Sequence, residues 1–123
     1  MRRETAQRRA IEKVFTRLER PLCITEIMEH GREMVGTLNQ ATVYRNLKRM
    51  VASGWLKRIN HPTLGTLWEV ADRGHHHHFY CNVCRNVYEL PGCALDQKNA
   101  VPPGFEVENH EIFISGTCKS CLR

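Results

Sequence analysis

The chain has 123 residues, of which 41% are hydrophobic and 25% charged, and its formal net charge is +5 at pH 7. These values are typical of a soluble globular protein of one domain, or of two very small ones, and no apolar stretch is long enough to span a membrane. The start of the chain, MRRETAQRRAIEKV, lacks the apolar segment of a signal peptide, so we expect a cytoplasmic protein with no membrane partner.

The charge is distributed unevenly along the chain. Residues 1–60 carry 13 Lys or Arg and 6 Asp or Glu, a net charge of +7, whereas residues 61–123 carry 5 and 7, a net charge of −2. A basic half joined to a slightly acidic half is typical of a nucleic-acid-binding module followed by a sensing or assembly module. The charge alone is equally compatible with a solvated basic surface.

Two helices are predicted in the first third of the chain. The first begins at Thr5, has apolar residues at helical spacing and ends before Pro21. The second is short and lies near Thr25. A turn over residues 36–39 follows, and Asn39 is the predicted N-cap of a third helix.

The third predicted helix, ATVYRNLKRMVASG, has two different faces. Its buried face is formed by apolar residues at helical spacing: Val43, Leu47, Met50 and Val51. Its outer face carries polar and basic side chains: Thr42, Tyr44, Arg45, Lys48 and Arg49. A recognition helix in the DNA major groove needs this combination, because guanidinium groups bind guanine or phosphate while the other face packs on the domain.

A β-hairpin is predicted after this helix, in the segment WLKRINHPTLGTLWEV. Its strands run from Trp55 to Ile59 and from Thr66 to Val70, with turn residues between them. Three helices followed by a hairpin make a winged helix, and we assign residues 1–71 to a winged-helix DNA-binding domain.

Two Cys-x-x-Cys pairs mark the second half of the chain. Cys81 and Cys84 form the first pair, and Cys118 and Cys121 form the second. Six cysteines in a cytoplasmic protein indicate metal binding or redox chemistry before disulfides, and two such pairs supply the four thiolates of a closed, tetrahedral zinc site. Between the pairs we predict a strand in NVYEL, a short segment around residues 93–101 and a long strand in FEVENHEIFIS.

Four consecutive histidines precede the first cysteine pair. They lie in the middle of the chain, which argues against an expression tag. In an extended segment the side chains of His75 and His77 point to one face and those of His76 and His78 to the other, so the strand could serve two metal centres. Nearby acidic residues and one further imidazole are candidate partners: Glu69, Asp72, Glu89, Asp96, Glu106, Glu108, Glu111 and His110. Coordination shells of imidazole and carboxylate ligands suit exchangeable Fe²⁺, Mn²⁺ or Zn²⁺. The alternative interpretation is that the His run is exposed and binds no metal.

The ordered motifs resemble the ferric-uptake-regulator (Fur) family over nearly the whole chain. They are T-x-x-R from Thr5, ATVYRNL, HHHHFYCNVC, GF-x-V-x-x-H from Gly104, and G-x-C-x-x-C from Gly116. The resemblance implies an α+β fold with an N-terminal winged helix-turn-helix, a hinge and, over residues 72–123, a small α/β dimerisation and metal-binding domain with a four-cysteine zinc site. It implies a homodimeric repressor of metal-homeostasis genes that binds an AT-rich palindrome in double-stranded DNA, with a metal ion as corepressor.

The resemblance also assigns residues to sites. The predicted DNA contacts are Arg3, Arg8, Thr42, Tyr44, Arg45 and Lys48. The predicted regulatory metal site at the hinge consists of Glu69, His76, His78 and Glu89. A second metal site in the dimerisation domain consists of His75, His77, Asp96 and His110. The four cysteines Cys81, Cys84, Cys118 and Cys121 hold the structural zinc.

Some positions depart from the family pattern. Many members have a His ligand just before helix 2, where this chain has Leu22 and Cys23, and Cys23 is either a thiolate ligand that favours zinc or a buried cysteine. The roles of His61 and Cys93 stay unassigned. The oxygen and nitrogen donors of the regulatory site favour iron or manganese, whereas the missing His and the nearby Cys23 favour zinc, so we rank Fe²⁺ slightly before Zn²⁺ and keep Mn²⁺ as a third candidate.

Three other functions are considered. One is a peroxide sensor of the same family, and another is a zinc-binding interaction or metal-buffering protein that reads no DNA sequence. The third is an enzyme in which imidazole-bound zinc activates water. We predict no enzyme, because the chain has no H-E-x-x-H motif, nucleophile elbow or phosphate loop.

Overall fold

Three helices and a β-hairpin come first in the chain, and a three-stranded sheet follows. The computed structural model describes residues 3–71, 74–93, 95 and 97–122. The elements are α1 (Arg3–Leu18), α2 (Ile24–Met34), α3 (Gln40–Ala52), β1 (Leu56–His61), β2 (Gly65–Val70), β3 (His76–Cys81), β4 (Val87–Pro91), α4 (Gln97–Ala100) and β5 (Phe113–Gly116). They divide into two compact units, Met1–Asp72 and Arg73–Arg123. The predicted α+β fold, with three N-terminal helices before a sheet domain, is confirmed.

The apolar core of the first unit joins all three helices to the hairpin. Phe15 of α1, Ile27 of α2 and Leu47 of α3 are each at most 1% exposed, and Leu56 and Trp68 close the cluster from the hairpin. Burial of each such side chain contributes about 1.5–3 kcal/mol relative to an exposed position. This core fixes α3 through one face and leaves its other face at the surface.

Local signals set where α3 begins. Asn39 has extended backbone, and its side-chain oxygen accepts a hydrogen bond from the backbone N–H of Thr42 at 2.9 Å. This side chain satisfies one of the N–H groups that a helix start leaves without an intrahelical partner. The predicted N-cap is therefore present.

The hairpin is a regular antiparallel pair. Its register runs from Leu56 opposite Val70 to His61 opposite Gly65. At the turn, Nδ1 of His61 accepts hydrogen bonds from two backbone N–H groups, those of Thr63 and Leu64, at 3.1 Å each. His61 thus holds the turn closed. β1 begins one residue later and ends two residues later than predicted, and β2 begins one residue earlier.

The second unit is built on a mixed sheet of order β4-β3-β5. β3 pairs with β4 in antiparallel orientation and with β5 in parallel orientation. The apolar core cluster lies in the first unit, and in the described part of the second unit the large apolar side chains that are buried are Tyr80 and Val87, at 5% and 9% exposure. The second unit therefore has little apolar burial to stabilise it.

The prediction of a long strand over residues 105–115 is wrong. β5 covers only Phe113–Gly116, and the residues from 105 to 112 form neither strand nor helix. The register explains the difference. Phe113 lies opposite His78, and β3 begins at His76, so a longer β5 would pass the start of its partner within two residues. Without a partner strand, apolar and polar alternation alone does not form a strand.

No helix within the described ranges is both long and apolar enough to cross a lipid bilayer.

Candidate DNA-binding surface and metal centres

The outer face of α3 presents polar and basic side chains to solvent. Tyr44 is 42% exposed, and Arg45, Lys48 and Arg49 are exposed as well. The Tyr44 ring packs edge-on against Trp68 of β2, with ring centroids 6.0 Å apart. A groove between α3 and the hairpin is lined by Tyr44, Lys48 and Arg58 among others. This surface has the donors that contact bases and phosphates.

Thr42 does not belong to this outer face, contrary to the prediction. It is only 8% exposed, and its carbonyl oxygen accepts a hydrogen bond from the Asn46 side chain one turn later at 3.0 Å. Asn46 is buried too. The buried stripe of α3 is therefore wider than the apolar residues alone indicate, because two polar residues with internal hydrogen bonds extend it.

α1 carries the other predicted DNA contacts. Arg8 is exposed, and its Nε donates to the Glu12 carboxylate one turn later at 3.1 Å. The side chain of Arg3 lies outside the described part of the chain. Because both partners are exposed, this ion pair is weak and a phosphate could replace Glu12 as its acceptor.

The four cysteines of the two Cys-x-x-Cys pairs come together at one end of the sheet. β3 ends at Cys81, and its parallel partner β5 ends at Gly116, so both carboxyl ends lie side by side and each leads into a cysteine pair. The four sulfur atoms lie within 4.8 Å of one another, and those of Cys84 and Cys118 are 3.8 Å apart. Sulfur atoms around a tetrahedral zinc, with Zn–S bonds of about 2.3 Å, are separated by about 3.8 Å.

Backbone hydrogen bonds prepare this cluster for a cation. Burial alone would raise the pKa of the Cys81 thiol, but backbone N–H groups, those of Cys118 and Cys84 among them at 3.4 Å, outweigh it and lower the pKa to about 6. A hydrogen bond with Cys118 raises the pKa of Cys121 to about 12. Four adjacent thiolates need a cation to be stable together, and zinc is the divalent ion that four thiolates fit.

The four histidines lie on opposite faces of β3, as the alternation predicts. The rings of His75 and His77 have centroids 4.7 Å apart, and those of His76 and His78 are 4.9 Å apart. Glu89 of β4 pairs directly with His78, which brings this carboxylate to the His78 side of the strand pair. Nδ1 of His76 contacts the Gly74 carbonyl oxygen at 2.9 Å and must therefore donate to it. In the neutral ring this leaves the lone pair on Nε2.

Glu69, the remaining residue of the predicted regulatory set, belongs to the first unit. It lies in β2 and is only 2% exposed, which is unusual for a carboxylate.

Cys93, whose role the sequence left unassigned, lies beside three residues of the second predicted metal site. Nε2 of His75 is 3.1 Å from Nε2 of His77 and 3.1 Å from Nε2 of His110. The Cys93 sulfur is 3.2 Å from His77 Nε2 and 3.3 Å from His110 Nε2. Asp96, the predicted fourth member, lies outside the described residues. One feature of the sequence could have indicated that Cys93 lies near the histidines. It follows β4 by two residues, and β4 pairs with β3, the strand that contains His77.

Burial affects the central histidine of this cluster. His77 is 7% exposed. Desolvation lowers its pKa below the usual value, and repulsion from the neighbouring His75 and His110 rings lowers it further. The ring is therefore neutral at physiological pH, and neutral imidazole is the form that binds metal.

Cys23 and His61 have local structural contacts. Cys23 is the N-cap residue of α2, its backbone N–H donates to the Glu26 carboxylate at 3.4 Å, and its thiol donates to the same oxygen at 3.5 Å. Arg20 forms an ion pair with Glu26. His61 holds the hairpin turn described above. These contacts account for both side chains without a metal ion.

This chain combines a winged helix that has a basic outer helix face with a sheet unit that gathers two sets of potential metal ligands, a combination typical of metal-dependent DNA-binding regulators. Residues 2–115 match the Ferric uptake regulator family, and the chain belongs to this family. Its members are metal-dependent transcription regulators and not enzymes, which removes the enzyme alternative.

Similar proteins include iron and zinc regulators. The Ferric uptake regulation protein of Bordetella parapertussis is 32% identical over 86 residues, which are 68% of this chain and 62% of that protein's length. The Zinc uptake regulation protein of Mycobacterium tuberculosis is 29% identical over 122 residues, covering 97% of this chain and 94% of the relative. The structure of the Ferric uptake regulator from Francisella tularensis with iron has a TM-score of 0.77 and 25% identity, covering 94% of this chain and 90% of that one. The match thus spans less than two thirds of the length of the Bordetella relative.

Proposed function

We propose that this protein is a metal-responsive, sequence-specific DNA-binding repressor of metal-homeostasis genes that acts as a cytoplasmic homodimer. The observation that carries the proposal is the exposed basic face of α3, in a chain of this family whose second unit also gathers two sets of metal-ligand atoms. The double-stranded operator is a palindrome, since each protomer of a symmetric dimer reads one half-site, and the family resemblance implies that it is AT-rich.

In this proposal the two outer-face residues Tyr44 and Arg45 contact bases. Arg8 and Lys48 bind phosphates, and Arg3 reaches the minor groove. The exposure of Arg45 and Lys48 and the packing of Tyr44 on Trp68 support these roles, because a contact residue must be both accessible and oriented.

The regulatory metal in this proposal is held by the set that the family resemblance assigns: Glu69, His76, His78 and Glu89. The shared face of His76 and His78 and the pairing of His78 with Glu89 support it. Nitrogen and oxygen donors suit Fe²⁺, Zn²⁺ and Mn²⁺, and we rank the three candidates in that order. The iron and zinc regulators among the relatives support the same two leading candidates. The four-cysteine cluster holds structural zinc.

The exposed apolar side chains support dimerisation through the second unit. In the described part of the chain, the large apolar residues exposed to solvent belong, apart from Tyr44, to that unit: Val83, Tyr88, Leu95, Phe105, Ile114 and Leu122. β5 is also an edge strand. Exposed apolar groups and an open sheet edge within one unit are features that a protein partner covers.

The mechanism is a population shift. A metal that binds the DNA-competent arrangement of the dimer more tightly than the other arrangements raises DNA affinity by that difference in binding free energy and by no more. Couplings of this kind are about 1–3 kcal/mol, roughly 5- to 150-fold in affinity.

The test is selection of duplexes from a random library by the full chain, separately with Fe²⁺ under anaerobic conditions, Zn²⁺, Mn²⁺ and chelator. We expect a two-fold symmetric motif with metal, and a loss of at least about fivefold in affinity with chelator. His76→Ala should lose this metal dependence, and Lys119→Ala, an exposed residue of the second unit, should keep it.

Enrichment of no motif would show a protein that binds DNA by charge alone, the behaviour of a metal-buffering protein. Equal affinity of the chelated and metal-loaded forms would contradict the corepressor role. A motif bound only with Zn²⁺ would reverse our ranking of iron before zinc.

A further inference from the structure

Three imidazoles and one thiol converge on one point of the second unit. His75 directly precedes β3, His77 lies in it, Cys93 follows β4 by two residues, and His110 lies in the segment before β5. Three Nε2 atoms and one sulfur form a closed ring of contacts between 3.1 and 3.3 Å. All four atoms lie within 4.8 Å of one another.

Hydrogen bonds alone do not account for this arrangement. The Nε2 of a neutral imidazole has either one proton or one lone pair, and it therefore donates one hydrogen bond or accepts one. Here each of the three Nε2 atoms has two close neighbours in the ring of contacts. A single cation at the centre would use one lone pair from each nitrogen and one from the sulfur.

The distances fit a tetrahedral ion. With Zn–N bonds of about 2.0–2.1 Å and a Zn–S bond of about 2.3 Å, two nitrogens are separated by about 3.3 Å and a nitrogen and the sulfur by about 3.6 Å. The nitrogen pairs measure 3.1 Å, and the nitrogen–sulfur pairs measure 3.2 and 3.3 Å. The four groups need to move apart by only a few tenths of an ångström to hold the ion.

The donor set selects the metal. Thiolate and imidazole ligands favour zinc, whereas manganese prefers carboxylate, carbonyl and water oxygens. Four protein ligands leave no open position, which is the property of a structural zinc site rather than a catalytic one. A carboxylate in place of Cys93 would give a harder, more exchangeable site.

A bound ion would stabilise a segment of the second unit that has little other structure. From Gly92 to Ile112 its regular structure, in the described residues, is the four-residue α4. The segment has little buried apolar surface, since Phe105 is 68% exposed. An ion shared by His77, Cys93 and His110 would fasten both ends of this segment to β3, in the way that metals stabilise domains too small for a sufficient core.

We propose that His75, His77, Cys93 and His110 form a closed zinc site, with the Cys93 thiolate as its fourth ligand, in addition to the four-cysteine cluster. The site is structural, and Cys93 takes the place that we had predicted for Asp96. This proposal does not depend on DNA binding or on the regulatory metal.

The experiment uses Co²⁺ as a spectroscopic probe in the full chain, with zinc kept at the four-cysteine cluster. We expect tetrahedral cobalt bands with a thiolate-to-cobalt charge-transfer band. Cys93→Ser should abolish the charge-transfer band, and Cys93→Asp should remove it while the chain still binds Co²⁺. The regulatory set contains no sulfur and cannot produce this band.

Cys23→Ser is the matched control. It changes another cysteine that is in neither cluster, and Ser preserves an N-cap of α2. This variant should retain the full charge-transfer band. Because Cys93 is exposed, its substitution removes little packing, and retention of the zinc at the four-cysteine cluster will verify that the second unit of each variant is folded.

Elemental analysis gives an independent measurement. After dialysis against a weak chelator, wild type and Cys23→Ser should keep about two zinc ions per chain, whereas Cys93→Ala and His110→Ala should keep about one. A wild-type cobalt spectrum without a sulfur band, or equal zinc content in Cys93→Ala and wild type, would overturn the proposal. Neither outcome would bear on whether the protein binds an operator.

Discussion

Tyr44 and Arg45 are neighbours on α3, but their surroundings differ. The Tyr44 ring is held against Trp68, whereas Arg45 extends into solvent from the same exposed face. A guanidinium that is free to reach a guanine edge can read sequence through two parallel hydrogen bonds. The phenol, whose position is fixed by packing against Trp68, presents its hydroxyl to a base in one orientation.

Arg45→Ala should weaken binding to the selected operator by about 1–3 kcal/mol, roughly 5- to 150-fold in Kd. The loss should be much smaller on scrambled DNA, because only the base contact carries sequence information. Fluorescence anisotropy with both duplexes measures the two affinities, and Lys119→Ala is the control. An equal loss on operator and scrambled DNA would show that Arg45 binds phosphate.

Lys48→Ala should behave differently. If Lys48 binds phosphate, its loss weakens binding to all duplexes by a similar factor and lowers the slope of log K against log salt by about one. Titrations at several salt concentrations, with Arg45→Ala in parallel, measure the slopes. A slope identical to that of wild type would place Lys48 away from the DNA backbone.

Single residues also show what the sequence could and could not predict. The opposite faces of the His run follow from the period of a strand and were predictable. Thr42 is buried although it is polar, and the position of Cys93 depends on how the chain turns after β4. A pattern of apolar residues predicts neither the burial of a polar side chain nor the path of a turn.

The elements that the sequence predicts best are those with local signals. α3 has an N-cap, helical periodicity and a stop at Ser53, and all three act within a few residues of the helix ends. β5 was predicted too long because the length of a strand depends on a partner that is distant in the chain. Local signals cannot supply that information.

Asn39→Ala should destabilise the first unit by about 1 kcal/mol, because the backbone N–H of Thr42 loses its acceptor. Asn39→Asp keeps an acceptor at the N-cap and should remain close to wild type. Urea unfolding followed by tryptophan fluorescence measures the difference, since Trp55 and Trp68 both lie in the first unit. Equal losses in the two variants would indicate that Asn39 stabilises the fold by a contact other than the cap.

At the scale of the whole molecule, the two units depend on different interactions. The first unit has an apolar core that includes side chains from all three helices and the hairpin. The described part of the second unit buries few large apolar side chains and instead gathers eight ligand groups in the two clusters. We therefore expect the first unit to be stabilised by hydrophobic burial and the second by metal coordination.

Loss of structural zinc should therefore act on the second unit only, and the comparison starts from protein whose regulatory metal has already been removed with a weak chelator. With a strong chelator, amide hydrogen exchange in β3, β4 and β5 should accelerate by at least about tenfold, while the tryptophan-detected unfolding transition stays in place. Cys118→Ser should produce the same pattern without chelator. A shift of the tryptophan transition by more than about 0.5 kcal/mol would show that the core of the first unit also depends on the metal.

The parallel pairing of β3 with β5 has a consequence for biosynthesis. Cys81 and Cys118 are far apart in the chain, so β5 and the second cysteine pair are translated long after β3. The first unit can fold while the ribosome is still translating the rest of the chain, because domains fold as units from the N-terminus. The sheet of the second unit, and with it the capture of zinc by the cysteines, can form only after β5 has been translated, so that a newly made chain folds its first unit before the cysteines bind their metal.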